Sequence, residues 1–100
     1  MSDEGEADLR TRLNGETGRL NWSELERHFA RGRLVTVAAG RDLVDVAARF
    51  AEDDKDTVAE WLHNGTLVRT TDSQASRWAE NDAALWAVVV PPWILVQEAD

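Results

Sequence analysis

The chain has 100 residues, the usual length of a single domain, and its apolar fraction of 43% is enough for one modest core. It contains no cysteine, which excludes disulfides, thiolate catalysis and cysteine-ligated zinc. Its 19 acidic and 11 basic residues give a formal net charge of −8, which repels phosphate backbones and anionic membranes and so disfavours nucleic-acid and membrane partners.

The N-terminal segment is acidic. Residues 1–8 contain no apolar run, so they predict a flexible acidic tail rather than a secretory signal. The longest apolar stretch, residues 83–96, is interrupted by Pro91 and Pro92 and is shorter than the roughly 20 residues of a membrane-spanning helix. We therefore expect a cytoplasmic protein with a single folded domain over residues 9–98.

The first predicted elements are two helices and a strand. Leu9 and Leu13 have the spacing of one helical face, although glycines follow them and weaken this first helix. Asn21 with Glu24 forms a capping-box pattern that starts the second helix, and Gly32 ends it. Residues 34–38 are rich in β-branched side chains and predict a strand. The apolar face of the second helix consists of Trp22, Leu25 and Phe29.

The centre of the chain predicts two helices separated by an acidic turn. Asp42 is a predicted N-cap, and the apolar residues that follow it have helical spacing up to Phe50. Residues 52–54 form the acidic turn, and a helix over 55–63 leads to a short strand over 66–70. The residues of this helix that are predicted to face inward are Val58, Trp61 and Leu62.

The last part of the chain predicts one helix and two strands. Thr71 and Gln74 form a second capping-box pattern, which starts a helix over 72–81. Strands over 84–90 and 93–97 meet at Pro91-Pro92, where neither proline can donate a ladder hydrogen bond. If these prolines form a tight hairpin turn, the bond that precedes Pro92 is expected to favour the cis isomer.

Together these elements predict an α+β fold in which a small antiparallel sheet of about three strands packs with four to five helices. Trp22, Trp61 and Trp78 lie on apolar helical stripes and are predicted core residues.

The element order also resembles that of a winged-helix domain if the helix over 72–81 is set aside. Residues 58–68 then correspond to the recognition helix and the start of its strand. That helix presents Asp56 and Glu60 outward with Lys55 as its only cation. A helix that reads the major groove presents Arg, Lys, Asn or Gln instead, so the charge argues against DNA binding.

Several segments resemble a known bacterial family. The chain is similar to the family catalogued as a domain of unknown function, number 2288, over most of residues 9–98, and it departs from the family at Gly15 and Gly18. The resemblance implies a bacterial origin and a compact fold, and it implies no activity. The segments that carry it are WSEL at 22–25, FARG at 29–32, LVDVA at 43–47, AEDDK at 51–55, WL at 61–62, LWAVVV at 85–90 and PWILVQE at 92–98.

The last two predicted strands are apolar on both faces, so both faces have to be covered. In one interpretation, the helices predicted near residues 9–20 and 72–81 cover them internally. In the other, one face stays open and binds a partner protein or a second copy of the chain. The candidate partner-binding residues in that second interpretation are Trp86, Val88, Trp93 and Leu95.

The only concentration of basic residues is formed by Arg27, Arg31 and Arg33. Three arginines can bind a phosphate or an acidic peptide. More often such a group is a solvated helix end, where cations suit the helix dipole. We retain them as a candidate anion-binding group.

Metal-binding and catalytic patterns are weak. Glu24 and His28 have the i, i+4 spacing of two metal ligands but no evident third ligand. The acidic residues 52–56 lack the glycine and the final glutamate of a calcium loop, and helix capping explains them better. No serine lies in a nucleophile elbow. We expect no metal, no cofactor and no catalytic residue, and leave open whether the chain is an enzyme.

The sequence therefore favours a small protein-interaction or self-associating module. A winged-helix-like nucleic-acid-binding regulator is the first alternative, because of the element order. A metal-dependent or other small enzyme that uses Glu24, His28 and the acidic residues 52–56 is the second.

Overall fold

The computed structural model describes the main chain of residues 2–99 and the side chains of residues 9–99. The predicted acidic tail, residues 1–8, lies outside the described side chains. Within the described part of the chain, no helix combines the length and the apolar character needed to cross a bilayer. The elements are α1 (Ser2–Glu16), β1 (Gly18–Asn21), α2 (Trp22–Ala30), β2 (Leu34–Val37), α3 (Leu43–Ala51), α4 (Lys55–Asn64), β3 (Leu67–Arg69), α5 (Asp72–Glu80), β4 (Ala84–Val90) and β5 (Trp93–Glu98).

The strands form one five-stranded mixed sheet in the order β1-β4-β5-β2-β3. All neighbouring strands are antiparallel except β2 and β5, which run parallel with Val35 opposite Leu95. The α+β class is confirmed, but the prediction of about three antiparallel strands is wrong. The strand that the prediction omits entirely is β1, because Gly-Arg-Leu-Asn has no β-branched residue and is extended only through its pairing with β4.

Helices cover both faces of the sheet. One buried cluster joins α1, α3 and α4 to one face, and a second joins α2 and α5 to the other. In β4, Leu85 and Ala87 belong to the second cluster and Val88 and Val90 to the first, so the strand is buried on both faces along part of its length, while Trp86 and Val89 stay partly exposed. The interpretation in which the faces are covered internally is therefore correct for most of the hairpin. The first cluster includes Leu13, Val46, Trp61, Val88 and Leu95, and the second includes Trp22, Leu25, Trp78, Leu85 and Ile94.

The predicted helix starts are confirmed by their capping hydrogen bonds. The Glu24 carboxylate accepts from the main-chain N–H of Asn21 at 3.0 Å. Gln74 and Thr71 form a reciprocal capping box, with N–H···O distances of 3.0 and 3.1 Å. The Asp42 carboxylate accepts from the N–H of Val44 at 3.0 Å. These local bonds determine where the helices begin on each side of the sheet.

The β4–β5 hairpin turns tightly at Pro91-Pro92. Val90 pairs with Trp93, so the turn contains only the two prolines, and the bond between them is cis as expected. At this end of the sheet the N–H of Ile94 donates to the carbonyl of Arg33 at 2.9 Å. The hairpin tip therefore lies beside the loop that joins α2 to β2.

The helix order α3–α4 followed by strands matches the order of a winged-helix domain, but the sheet is arranged differently. β4 and β5 lie inside the sheet, each with a strand on both sides. In a winged-helix domain the corresponding hairpin projects as the wing. The predicted order is therefore present without a wing at this hairpin.

Neighbouring valines on β4 provide a matched test of this fold. Val88 is 1% exposed and Val89 is 50% exposed. We expect Val88→Ala to lower the free energy of unfolding by about 2 kcal/mol, because two buried methyl groups are lost and a cavity remains. Val89→Ala should cost less than about 1 kcal/mol. Urea denaturation of both variants measures this, and equal costs would contradict the assignment of the two faces.

Candidate functional site

A largely apolar depression lies at the hairpin tip and has a volume of about 370 Å³. We call it the tip groove. One side of the groove is formed by the α3–α4 turn and by one face of α4, and the other side is formed by the Pro91-Pro92 turn. Apolar side chains form most of its surface, and charged groups lie only at the turn between the helices. Its lining residues are Phe50, Asp53, Asp54, Lys55, Val58, Ala59, Leu62, Val90, Pro91, Pro92 and Trp93.

Trp93 forms the wall of the groove on the hairpin side. Its ring is half-buried and packs against the core cluster of α3 and α4. The guanidinium carbon of Arg69 lies 5.3 Å from the ring centroid, within the range of a cation–π interaction. Arg69 also donates from Nη2 to the carbonyl of Gly32 at 2.9 Å. Arg69 therefore orients the Trp93 ring and connects the groove to the α2–β2 loop.

Leu62 is an exposed large apolar residue of the groove, with 48% of its surface accessible. The sequence predicted that it would face inward with Val58 and Trp61. Trp61 is buried in the core and Val58 packs against it, so the prediction is confirmed for these two and is wrong for Leu62. On a helix, adjacent residues point about 100° apart, and Leu62 lies beyond the edge of the covered face.

The opposite wall carries an excess of negative charge. We call residues 52–56 the acidic turn. It contains four carboxylates and one lysine, and Arg49 is the other cation close to it. Asp54 caps α4 by accepting from the Thr57 N–H at 3.3 Å and from the Thr57 hydroxyl at 2.8 Å. The role of Asp54 is therefore to cap α4. Asp53 does not take part in this cap and is exposed beside the groove.

Arg27, Arg31 and Arg33, which we call the arginine cluster, are exposed at the end of α2. Among the described side chains, no carboxylate lies within ion-pair distance of any of the three. Partial burial of the imidazole, and then the positive field of these three arginines, lower the pKa of His28. The cluster is thus a region of positive potential on an acidic protein.

The four candidate partner-binding residues are not brought together. Val88 and Leu95 are 1% and 0% exposed and belong to the core, so they are inaccessible to a partner in this fold. Trp86 is partly exposed and lies opposite Gln97, away from the tip, with the Arg19 guanidinium 4.9 Å from its ring centroid. Trp93 alone of the four lines the tip groove.

Sequence reasoning missed other residues of this site. Phe50 and Val58 were predicted only as core residues, and Arg69 was not singled out. The Pro-Pro-Trp sequence at 91–93 was a usable signal, because Trp is enriched among the residues that dominate binding interfaces. No sequence signal could place Arg69, since its contacts to Gly32 and Trp93 join distant parts of the chain.

The metal candidates do not assemble into a site. Glu24 accepts the capping bond from Asn21, and His28 lies one turn further along α2. Within the part of the chain whose side chains are described, no group of three His, Asp or Glu residues is arranged to hold a metal ion.

Comparison with known proteins identifies relatives without an assigned activity. A family model described as "Protein of unknown function (DUF2288)" matches residues 8–98. The NMR solution structure of PA1075 from Pseudomonas aeruginosa is similar to this chain, with 45% sequence identity and a TM-score of 0.81. The similarity covers 93% of this chain and 86% of that one. A search among curated proteins found no match.

The arginine cluster and His28 give a testable pH dependence. Because the folded state lowers the pKa of His28, the unfolded state binds a proton more readily, and the free energy of unfolding should fall as pH decreases below about 6.5. We expect Arg31→Gln/Arg33→Gln to raise the pKa of His28 by removing two positive charges. An NMR titration of the His28 imidazole measures this shift. An unchanged pKa would show that these arginines exert no appreciable field there.

Proposed function

Because the chain belongs to the DUF2288 family of proteins of unknown function, we propose its role from its surface: it is a protein-interaction module that binds through the tip groove. The observation that carries the proposal is the open apolar groove beside Leu62 and Trp93. Helices pack against both faces of the sheet and the two buried clusters form without Leu62, so its exposed surface is not needed to complete the core. Exposed apolar surface of this kind commonly marks an interaction site.

The composition of the groove supports a protein partner. Trp side chains that enter a partner's surface contribute a large part of the binding free energy in many interfaces, particularly near the interface centre. Here the Trp93 ring is held between the core and the Arg69 guanidinium, so little side-chain entropy is lost when it is covered. Charged residues at the acidic turn then form a polar rim.

The two alternative functions have less support. A nucleic-acid-binding regulator requires cations near the DNA, whereas the acidic turn precedes α4 and four carboxylates lie there. An enzyme requires a nucleophile, acid or base in position. The titratable groups that line the groove are two carboxylates and one lysine, and Asp54 already caps α4.

Substituting Leu62 tests the groove directly. We expect Leu62→Gln to weaken binding to a protein partner by about tenfold or more, because it removes exposed apolar surface without disturbing the core. Val68→Gln is the matched control, since Val68 is also an exposed apolar residue, at 38%, but lies outside the groove. Tagged forms of wild type and both variants are used to capture proteins from a nuclease-treated lysate of the source organism.

The result supports the proposal if wild type and Val68→Gln recover the same protein, including a second copy of this chain, and Leu62→Gln does not. Purified components then give the dissociation constants. Equal recovery by all three forms, or recovery of no protein by any of them, would reject the tip groove as an interaction site.

A further inference from the structure

The tip groove separates charges of opposite sign. The acidic turn, with its excess of carboxylates, borders the groove on the helical side. On the hairpin side lies Arg69, whose Nη2 donates to the carbonyl of Gly32 at 2.9 Å. Gly32 is directly between Arg31 and Arg33 in the chain, and the Arg33 carbonyl accepts from the N–H of Ile94 at 2.9 Å, so the loop that carries both arginines lies beside the hairpin. At this end of the molecule the apolar tip groove therefore lies between a negative region, the acidic turn, and a positive region formed by the arginines.

The positive side is available to a partner. Arg31 and Arg33 are exposed, and the described side chains include no carboxylate within ion-pair distance of them. Three other arginines of the chain already form ion pairs. Arg10 pairs with Asp45, Arg77 pairs with Glu98, and Arg49 lies 3.8 Å from Glu52. A partner carboxylate can thus reach Arg31 and Arg33 without displacing one from this chain.

The charge pattern restricts what can occupy the groove. A uniformly acidic partner is attracted by the arginines but repelled by the acidic turn. A uniformly basic partner is attracted by the acidic turn but repelled by the arginines. The complementary surface is apolar at its centre, acidic where it meets the arginines and basic where it meets the acidic turn. This chain presents such a surface itself, because a rotation of 180° about an axis through the groove exchanges the two charged sides.

We infer that the tip groove is occupied by a second copy of this chain, in a two-fold symmetric dimer that places the acidic turn of each copy against Arg31 and Arg33 of the other. The inference rests on the proposed function and names the partner. Leu62 and Trp93 of the two copies lie near the axis, where apolar contact contributes most. The net charge of −8 on each copy opposes association at long range, so the local charge match determines the orientation.

Charge reversal on each side separately, followed by mixing, tests this arrangement. One variant carries Arg31→Glu/Arg33→Glu, and the other carries Glu52→Lys/Asp56→Lys, which leaves the Asp54 cap intact. A dimer of either variant with itself places like charges against each other at both contacts between the acidic turn and residues 31 and 33. A mixed dimer, with one copy of each variant, places opposite charges against each other at both contacts. Sedimentation velocity over a range of concentrations measures the dissociation constants, with circular dichroism as the control for folding.

We expect wild type to dimerise, each variant alone to bind itself at least about tenfold more weakly, and the equimolar mixture to recover wild-type affinity within about threefold. Recovery in the mixture also shows that both variants are folded. Monomeric wild type at millimolar concentration overturns the inference, and so does a mixture that associates no better than its components. If wild type is monomeric but Leu62→Gln abolishes capture of a different protein, the inference fails while the proposed function stands. If that capture is also absent, both fail.

Discussion

The central constraint of this structure is that the β4–β5 hairpin is apolar on both faces and lies inside the sheet. A strand of this kind is stable only when both of its faces are removed from water. The chain meets this requirement by placing α1, α3 and α4 on one face and α2 and α5 on the other. The α2–β2 loop, the α3–α4 turn and the Pro91-Pro92 turn lie close together at one end of the sheet.

Tryptophan rings contact arginine guanidinium groups at several places in the molecule. Four of the five tryptophans have an arginine guanidinium within 6.0 Å of the ring centroid: Trp61, Trp78, Trp86 and Trp93. At half-exposed rings such contacts cover apolar surface while the charged group stays in water. Trp22 instead packs against two other aromatic rings, with the ring centroids of Phe29 and Trp78 at 5.6 and 6.0 Å from its own. Because the arginines next to tryptophan rings are spread over the molecule, the arginine cluster is the place where positive charge is concentrated on an otherwise acidic surface.

The tip groove follows from the same arrangement. The cis Pro91-Pro92 turn projects from the centre of the sheet, and the helices of the adjacent layer end beside it without covering it. Phe50 and Val58 close the floor, while Leu62 and Trp93 remain partly exposed at the sides. The core is complete without further contacts at this position. The exposed apolar surface of the groove is therefore not needed for folding. For this reason we propose that it binds a protein partner.

Local features of the sequence determined the helices, their starting residues and the tryptophans of the core. Capping boxes at Asn21 and Thr71 and apolar stripes such as 43–50 involve residues within a few positions of one another, so their physical effect is present in the sequence alone. Trp93 was also predicted as a surface contact. The tertiary structure alone decided that Gly18–Asn21 is a strand, that β2 runs parallel to β5, that Val88 and Leu95 are buried, and that Leu62 is exposed beside Trp93 and Arg69. These features depend on which distant segments pair across the sheet, and a strand's pairing partner is set by packing over the whole chain rather than by its own residues.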